Sequence, residues 1–233
     1  MATVSPQTNE EKLQLSALTD MVNTTRLTLS YPEGIESQTA LDNKLSSFPE
    51  NSRVFFDNYL NALVANRKMR RQSNRPLLDS GRGQPDITYD AVHRRLALPA
   101  EFLLPPMYAA DSFLSANYGT LGTEVSIALW RGVTTAIMKE QGGLYVGALL
   151  EHHAKRFGCN LESHDDIIVA VASEVVAEGF ATCVREMSTV PSLADLKLLF
   201  LASCLPSCGS RDVRCNRASS CSVQFRQVFQ CSA

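Results

Sequence analysis

The chain has 233 residues, of which 45% are apolar and 20% are charged, and its formal net charge at pH 7 is -2. This length and composition predict one globular domain, or a core domain with a smaller helical lobe, with enough residues to bury a sizeable core. The near-neutral charge gives no electrostatic reason to expect nucleic acid or an anionic membrane as a partner. The sequence shows no apolar run as long as a membrane span and no signal-peptide pattern, so no span or anchor is expected in this chain.

The N-terminal third is predicted to contain two helices separated by non-helical segments. Residues 1–11 are polar and are expected to form a loose tail, and a helix is expected over 11–25. Apolar residues at helical spacing predict a second, amphipathic helix over 52–72, with a basic end at 67–71. Residues 74–85 form a linker by composition.

Extended structure is predicted after this linker. Tyr89 precedes a turn, and Leu96 and Leu98 alternate with less apolar residues, as in a half-buried edge strand. Pro99 ends the strand, and the Pro-Pro pair at 105–106 excludes a helix there.

The remainder is predicted to be mainly helical, near 123–139, 144–157, 164–187, 192–203 and 223–230. The first of these helices follows Gly119 and Gly122, which indicate a turn, and Thr123 is a candidate N-cap. Arg131 lies on the inner stretch of this helix, where an apolar residue would be expected.

The cysteines are concentrated at the C-terminus, and they leave two interpretations open. A disulfide-stapled tail, typical of an oxidising compartment, is favoured over a zinc knuckle, because the spacing contains no C-x-x-C pair. A glycosylation triplet that begins at Asn23 fits a secretory history. Five of the seven cysteines lie in the last thirty residues: Cys204, Cys208, Cys215, Cys221 and Cys231.

Two motifs occur here in a characteristic order. The extended segment contains Tyr89 and then "LPAEFLLPP" at 98–106, and it is followed by "NYGTLG" at 117–122. This order resembles the C-terminal catalytic part of the neprilysin and endothelin-converting-enzyme family of zinc metallopeptidases, over nearly the whole chain. The resemblance implies an α+β fold, predominantly α, of the thermolysin-like (zincin-like) type, with a small edge sheet near 89–98. It also implies an extracellular or cell-surface location.

The resemblance also divides the chain. Residues 1–11 remain a loose tail, and 12–85 become a helical segment and linker that represents the return from the helical lobe of the family. Because most of that lobe is missing from this chain, apolar surface around Leu60, Leu63 and Val64 is expected to be exposed. Residues 86–233 become the peptidase-like domain with its Cys-rich C-terminal tail.

The metal site implied by the resemblance is degenerate in this sequence. The H-E-x-x-H motif of the family falls on Ile127, Ala128 and Arg131, so both imidazole ligands and the general base are absent. Glu174 matches the third ligand, and Glu178 replaces the Asp that in the family would orient a His ligand. No catalytic residue, no metal site and no cofactor are therefore expected, although the family uses zinc.

Some substrate-binding positions are retained. Tyr89 matches an aromatic position of the substrate-binding strand, and Arg214 and Asn216 match an R-V-N element whose Arg contacts a substrate carbonyl. Cys208 stands where the family has a His. We also expect Arg131 to face Glu174, with Glu178 as a second candidate, and to replace the metal as their counter-charge, because an unpaired buried carboxylate is costly. The alternative is that Arg131 turns to solvent and Glu174 is a partly exposed helix residue.

Three functions remain open at this point. The first is a neprilysin-like homologue that has lost peptidase activity and binds peptides or a protein partner through the residual cleft. The second is an active zinc metalloendopeptidase in peptide processing. The third is a truncated copy without a selected function.

Overall fold

The structure is a computed structural model that describes residues 8–29, 37–46, 48–50, 52–72, 86–141, 146–147, 163–208, 216, 219 and 221–231. Contacts within the chain define two units, one formed by Met1–Thr28 together with Ile87–Ala233 and the other by Leu29–Asp86. Residues 12–28 therefore belong with the unit that contains the candidate site, whereas the sequence assigned them to a helical segment over 12–85.

The first unit begins with helix α1, Asn9–Thr24. A capping box fixes its start: the Thr8 hydroxyl accepts a hydrogen bond from the Glu11 backbone N–H at 3.1 Å, and the Glu11 carboxylate accepts one from the Thr8 N–H at 3.1 Å. α1 contributes Leu18 and Met21 to the core and packs against the helix Thr123–Gln141.

A three-stranded sheet follows, made of β1 (Arg26–Leu29), β2 (Thr88–Asp90) and β3 (Arg95–Leu98) in the order β1-β3-β2. β2 and β3 are antiparallel, with Tyr89 opposite Leu96. Leu96 and Leu98 are buried, which confirms the predicted alternation. The prediction that they lie on an edge strand is wrong, because β1 pairs with the other side of β3. β2 is instead the edge strand beside the candidate site.

The glycine segment is helical and does not form a turn. Helix α4 (Leu114–Asn117) continues through a π-helical turn (Tyr118–Gly122) into helix α5 (Thr123–Gln141). The Thr123 hydroxyl is buried and has no hydrogen-bond partner among the described residues, so the prediction that it caps α5 is wrong. The helical residues before Thr123 leave no free helix start for it to cap.

Three further helices complete the described part of this unit: α6 (His164–Glu186), α7 (Leu193–Ser203) and α8 (Val223–Phe229). Ser163, Ser192 and Ser222 cap their N-termini. These bounds confirm the predicted helices to within a residue or two. The helix predicted over 144–157 lies outside the described residues except at 146–147.

α6 lies at the centre of the core. It is long and apolar enough to cross a membrane by composition, but its apolar residues are largely buried inside the unit, which accounts for that composition. Its first half packs with α1 and α5 around Val133 and Ile137. Its second half packs with α7 and α8 around Phe180 and Phe200.

The second unit contains helix α2 (Gln38–Leu45) and helix α3 (Phe55–Gln72). α3 agrees with the predicted amphipathic helix. Leu60, Leu63 and Val64 are 44%, 48% and 69% exposed, so the predicted exposed apolar surface is confirmed.

Candidate functional site

The "NYGTLG" motif is used for packing. The Asn117 side chain accepts a hydrogen bond from the Ala109 N–H at 3.1 Å and donates one to the Ala109 carbonyl at 2.8 Å, so it fixes the preceding loop as a paired backbone would. The Tyr118 ring meets the Phe180 ring of α6 edge-on, with centroids 5.6 Å apart. These contacts fix the start of α5 relative to the core.

The two glycines of this motif have different environments. A Cβ added to Gly119 would lie 2.3 Å from the Leu199 carbonyl oxygen and 2.7 Å from the Ala202 Cβ, both on α7. A Cβ added to Gly122 would meet its nearest neighbour, Val176, at an ordinary 3.7 Å. Only Gly119 is therefore required by a close approach between helices.

A cleft of about 320 Å³ lies between β2 and α5. Ile87, Tyr89 and Ala91 form the strand side. The helix side presents residues that follow one face of α5: Ala128, Arg131, Gly132, Thr135, Ala136 and Lys139. The cleft thus lies beside the edge strand and contains Ala128 and Arg131, two of the three residues to which the resemblance assigns the metal motif.

The structure separates the three motif positions. Ile127 is only 7% exposed and belongs to the apolar core cluster. Ala128 and Arg131 line the cleft. An apolar side chain in the core, a methyl group and a permanent cation offer neither a lone pair for a metal nor a base for a proton.

Arg131 pairs with Asp165, so the predicted pairing with Glu174 or Glu178 is wrong. The guanidinium Nε and Nη2 lie 2.8 Å and 2.7 Å from the same Asp165 oxygen, Oδ1. Asp165 lies in the first turn of α6, nine residues and about two and a half turns before Glu174, so the counter-charge comes from a different part of the helix. Both side chains are roughly half exposed, at 45% and 41%.

We expect Arg131→Gln to lower the free energy of unfolding by about 1 kcal/mol or less, because solvent screens an ion pair this exposed. Urea denaturation measures the change. A loss of more than about 2 kcal/mol would mean that Arg131 compensates a buried charge after all.

Glu174 has a different partner. Its Oε1 accepts a hydrogen bond from the Ser222 hydroxyl at 2.6 Å, and Ser222 is fully buried. The same Ser222 oxygen accepts the Phe225 N–H at 3.1 Å and so caps α8. The retained ligand-type carboxylate therefore links α6 to the start of the last helix.

Ser222→Ala is expected to lower the free energy of unfolding by about 2 kcal/mol, because it removes the cap of α8 and the bond to Glu174 together. Glu174→Gln keeps an acceptor oxygen for Ser222, so it should lower the free energy of unfolding by less than half as much as Ser222→Ala does. Equal losses in the two variants would contradict this assignment. Thermal and urea unfolding of both proteins provide the comparison.

The residues present do not fit a zinc ion. Of the implied ligand set, only Glu174 has a ligating side chain, and it is hydrogen-bonded to Ser222. Among the described residues, no three His, Cys, Asp or Glu side chains lie together as a metal site would require. Glu178 is exposed on α6.

Of the predicted substrate-binding residues, Tyr89 lines the cleft. Its hydroxyl lies 3.4 Å from the Thr25 hydroxyl, which donates to it, and its Cβ lies against Gly132. Tyr89 is therefore held between α5 and the end of α1. Asn216 is exposed, and Arg214 lies outside the described residues.

The structure adds two polar pairs that sequence spacing did not identify. His93 contacts Asp90 through its ring nitrogen at 2.6 Å. Burial is the largest single influence on the Asp90 carboxyl and opposes its ionisation, but hydrogen bonds from His93 outweigh it and lower the pKa of Asp90. A hydrogen bond with Cys183, followed by burial, raises the pKa of Tyr118. Both pairs lie outside the set of residues that line the cleft.

The thiols of Cys183, Cys208 and Cys231 are free. Two of the five C-terminal cysteines are thus unpaired in this structure. Cys204 and Cys221 are disulfide-bonded. Cys215 lies outside the described residues.

Comparison with known proteins identifies a related fold. No model of a protein family matches the sequence, and no curated protein is significantly similar to it. The structure is similar to the crystal structure of PepO from Lactobacillus rhamnosis HN001, with a TM-score of 0.52 and 13% sequence identity over 98% of this chain. The chain spans 41% of the length of that protein. This likeness bears out the zincin-like α+β fold, predominantly α, that the sequence predicted.

Proposed function

We propose that this protein is a neprilysin-like peptidase homologue that does not hydrolyse peptides and that binds extended peptides in the cleft between β2 and α5. The observation that carries the proposal is the composition of this cleft. It lies beside an edge strand, as a peptide-binding groove does, yet Ala128 and Arg131 occupy it where a base and a metal ligand would be needed.

The proposed peptide binding rests on the position of β2 at the edge of the described sheet. In the described sheet, β3 pairs with one side of β2, and no described strand pairs with the other. An extended peptide can add to such an edge through backbone hydrogen bonds, while side-chain pockets give specificity. Tyr89, held by Gly132 and Thr25, makes the strand wall rigid.

The proposed lack of peptide hydrolysis rests on the chemistry of the residues at the motif positions. Zinc peptidases need a metal that polarises the scissile carbonyl and a base that activates water. Ile127, Ala128 and Arg131 can supply neither function. The hydrogen bond from Ser222 already satisfies Glu174 without a metal.

The test uses a pool of random decapeptides with an N-terminal fluorescein, incubated with the purified full chain. We expect fluorescence polarisation to rise and mass spectrometry to find no cleavage, with or without added Zn²⁺. Thr135→Trp should block binding from inside the cleft. Met138→Trp, at an exposed position of α5 that does not line the cleft, should not.

Two results would overturn the proposal. Chelator-sensitive cleavage would show that the protein is an active zinc peptidase. Absence of binding by the whole pool would remove the peptide-binding function and leave the interpretation of a copy without selected function.

A further inference from the structure

The α5 wall of the cleft carries an uncompensated positive charge. Arg131, Thr135 and Lys139 follow one another at intervals of four residues, so they share one face of the helix. All three line the cleft opposite β2. The described residues that line this cleft include two cations and no carboxylate.

The two cations differ in what they offer a ligand. Arg131 is held by Asp165, which neutralises it and fixes its guanidinium. Lys139 is exposed, and no hydrogen bond or ion pair to it occurs in the described part of the chain. Lys139 is therefore the cation that remains to be paired, at the end of the cleft nearest the C-terminus of α5.

We propose that this cleft selects peptides that carry a carboxylate side chain, which pairs with Lys139 while the peptide backbone adds to β2. This inference rests on the proposed peptide-binding function and names the class of ligand. Backbone pairing with an edge strand is independent of sequence, so the selection must come from the opposite wall. In a cleft lined by one sign of charge, the walls focus the field and favour ligands of the opposite sign.

The exposure of Lys139 sets the expected change in peptide affinity. A pair between a solvent-accessible lysine and a carboxylate changes affinity by about three- to fivefold and weakens as salt is added. The exposed Thr135 hydroxyl, one turn before Lys139, is placed to donate to the same carboxylate.

The experiment compares three pools of fluorescein-labelled decapeptides with amidated C-termini. The pools are identical except for a central Glu, Gln or Lys. We expect the Glu pool to bind about three- to fivefold more tightly than the Gln pool, and the Lys pool to bind most weakly. Lys139→Gln should make the affinities of the Glu pool and the Gln pool equal. Lys139→Arg should preserve it.

The possible outcomes distinguish failure of the carboxylate selection from failure of the proposed peptide binding. Equal affinity of the Glu and Gln pools would overturn the carboxylate selection and leave peptide binding intact. So would a preference for Glu that survives in Lys139→Gln. Absence of binding by all three pools would overturn both. Because Lys139 is exposed, circular dichroism of the variants should match that of the wild-type protein.

Discussion

Gly119→Ala is expected to lower the free energy of unfolding by about 3 kcal/mol, near the upper end of the usual range for overpacking. The new methyl group would lie 2.3 Å from a backbone oxygen of Leu199 and 2.7 Å from Ala202. Neither neighbour is the end of a flexible side chain, so α7 itself must move away from the π-helical turn. That movement would also disturb the packing of Tyr118 on Phe180, since both contacts fix the same turn.

Gly122→Ala is the matched control. It changes the other glycine of the same turn by the same methyl group, but its nearest contact is an ordinary 3.7 Å. The better helix propensity of Ala offsets any small crowding, by up to about 1 kcal/mol. Urea denaturation should therefore show a large loss of unfolding free energy for Gly119→Ala and almost no loss for Gly122→Ala. Equal losses would mean that the close approach to α7 does not constrain Gly119.

Gly132→Ala is expected to cost about 2 kcal/mol and to abolish peptide binding. A Cβ at this position would lie 2.3 Å from the Cβ of Tyr89 and 2.4 Å from its Cγ. These atoms are close to the backbone, so β2 must shift away from α5, and the cleft between them must change shape.

Gly179→Ala serves as the control for this variant. It places the same substitution inside a helix, α6, where the added Cβ meets nothing within 4 Å. Helix propensity then predicts a gain of up to about 1 kcal/mol and unchanged peptide binding. Thermal unfolding and fluorescence polarisation measure the two properties. A Gly132→Ala protein that binds peptides normally would contradict the placement of the site between β2 and α5.

Local signals in the sequence were sufficient to predict the bounds of the helices α6 and α7. α6 and α7 begin after serine caps and contain apolar residues at helical spacing, so their bounds followed from residues close together in the chain. β1 was not anticipated: its four residues, Arg26–Leu29, alternate between polar and apolar, but the run is short and both of its leucines are exposed. Its absence from the prediction explains why the central strand β3 was taken for an edge strand.

Partners distant in sequence could not be predicted. The sequence resemblance predicts a degenerate metal motif at Ile127, Ala128 and Arg131, but the choice of Asp165 over Glu174 depends on which turn of α6 faces Arg131. Likewise, the bond between Ser222 and Glu174 joins residues 48 positions apart. The glycine pair suggested a turn because the approach of α7 that requires Gly119 involves residues about 80 positions later.

The most direct test of the account is the zinc content of the purified protein after equilibrium dialysis against Zn²⁺, measured together with that of Glu174→Gln. The account predicts substoichiometric zinc in both proteins, with any bound ion attributable to free thiols and therefore unaffected by the substitution. One zinc per wild-type chain, lost in Glu174→Gln, would show that the metal site is intact and would contradict the account.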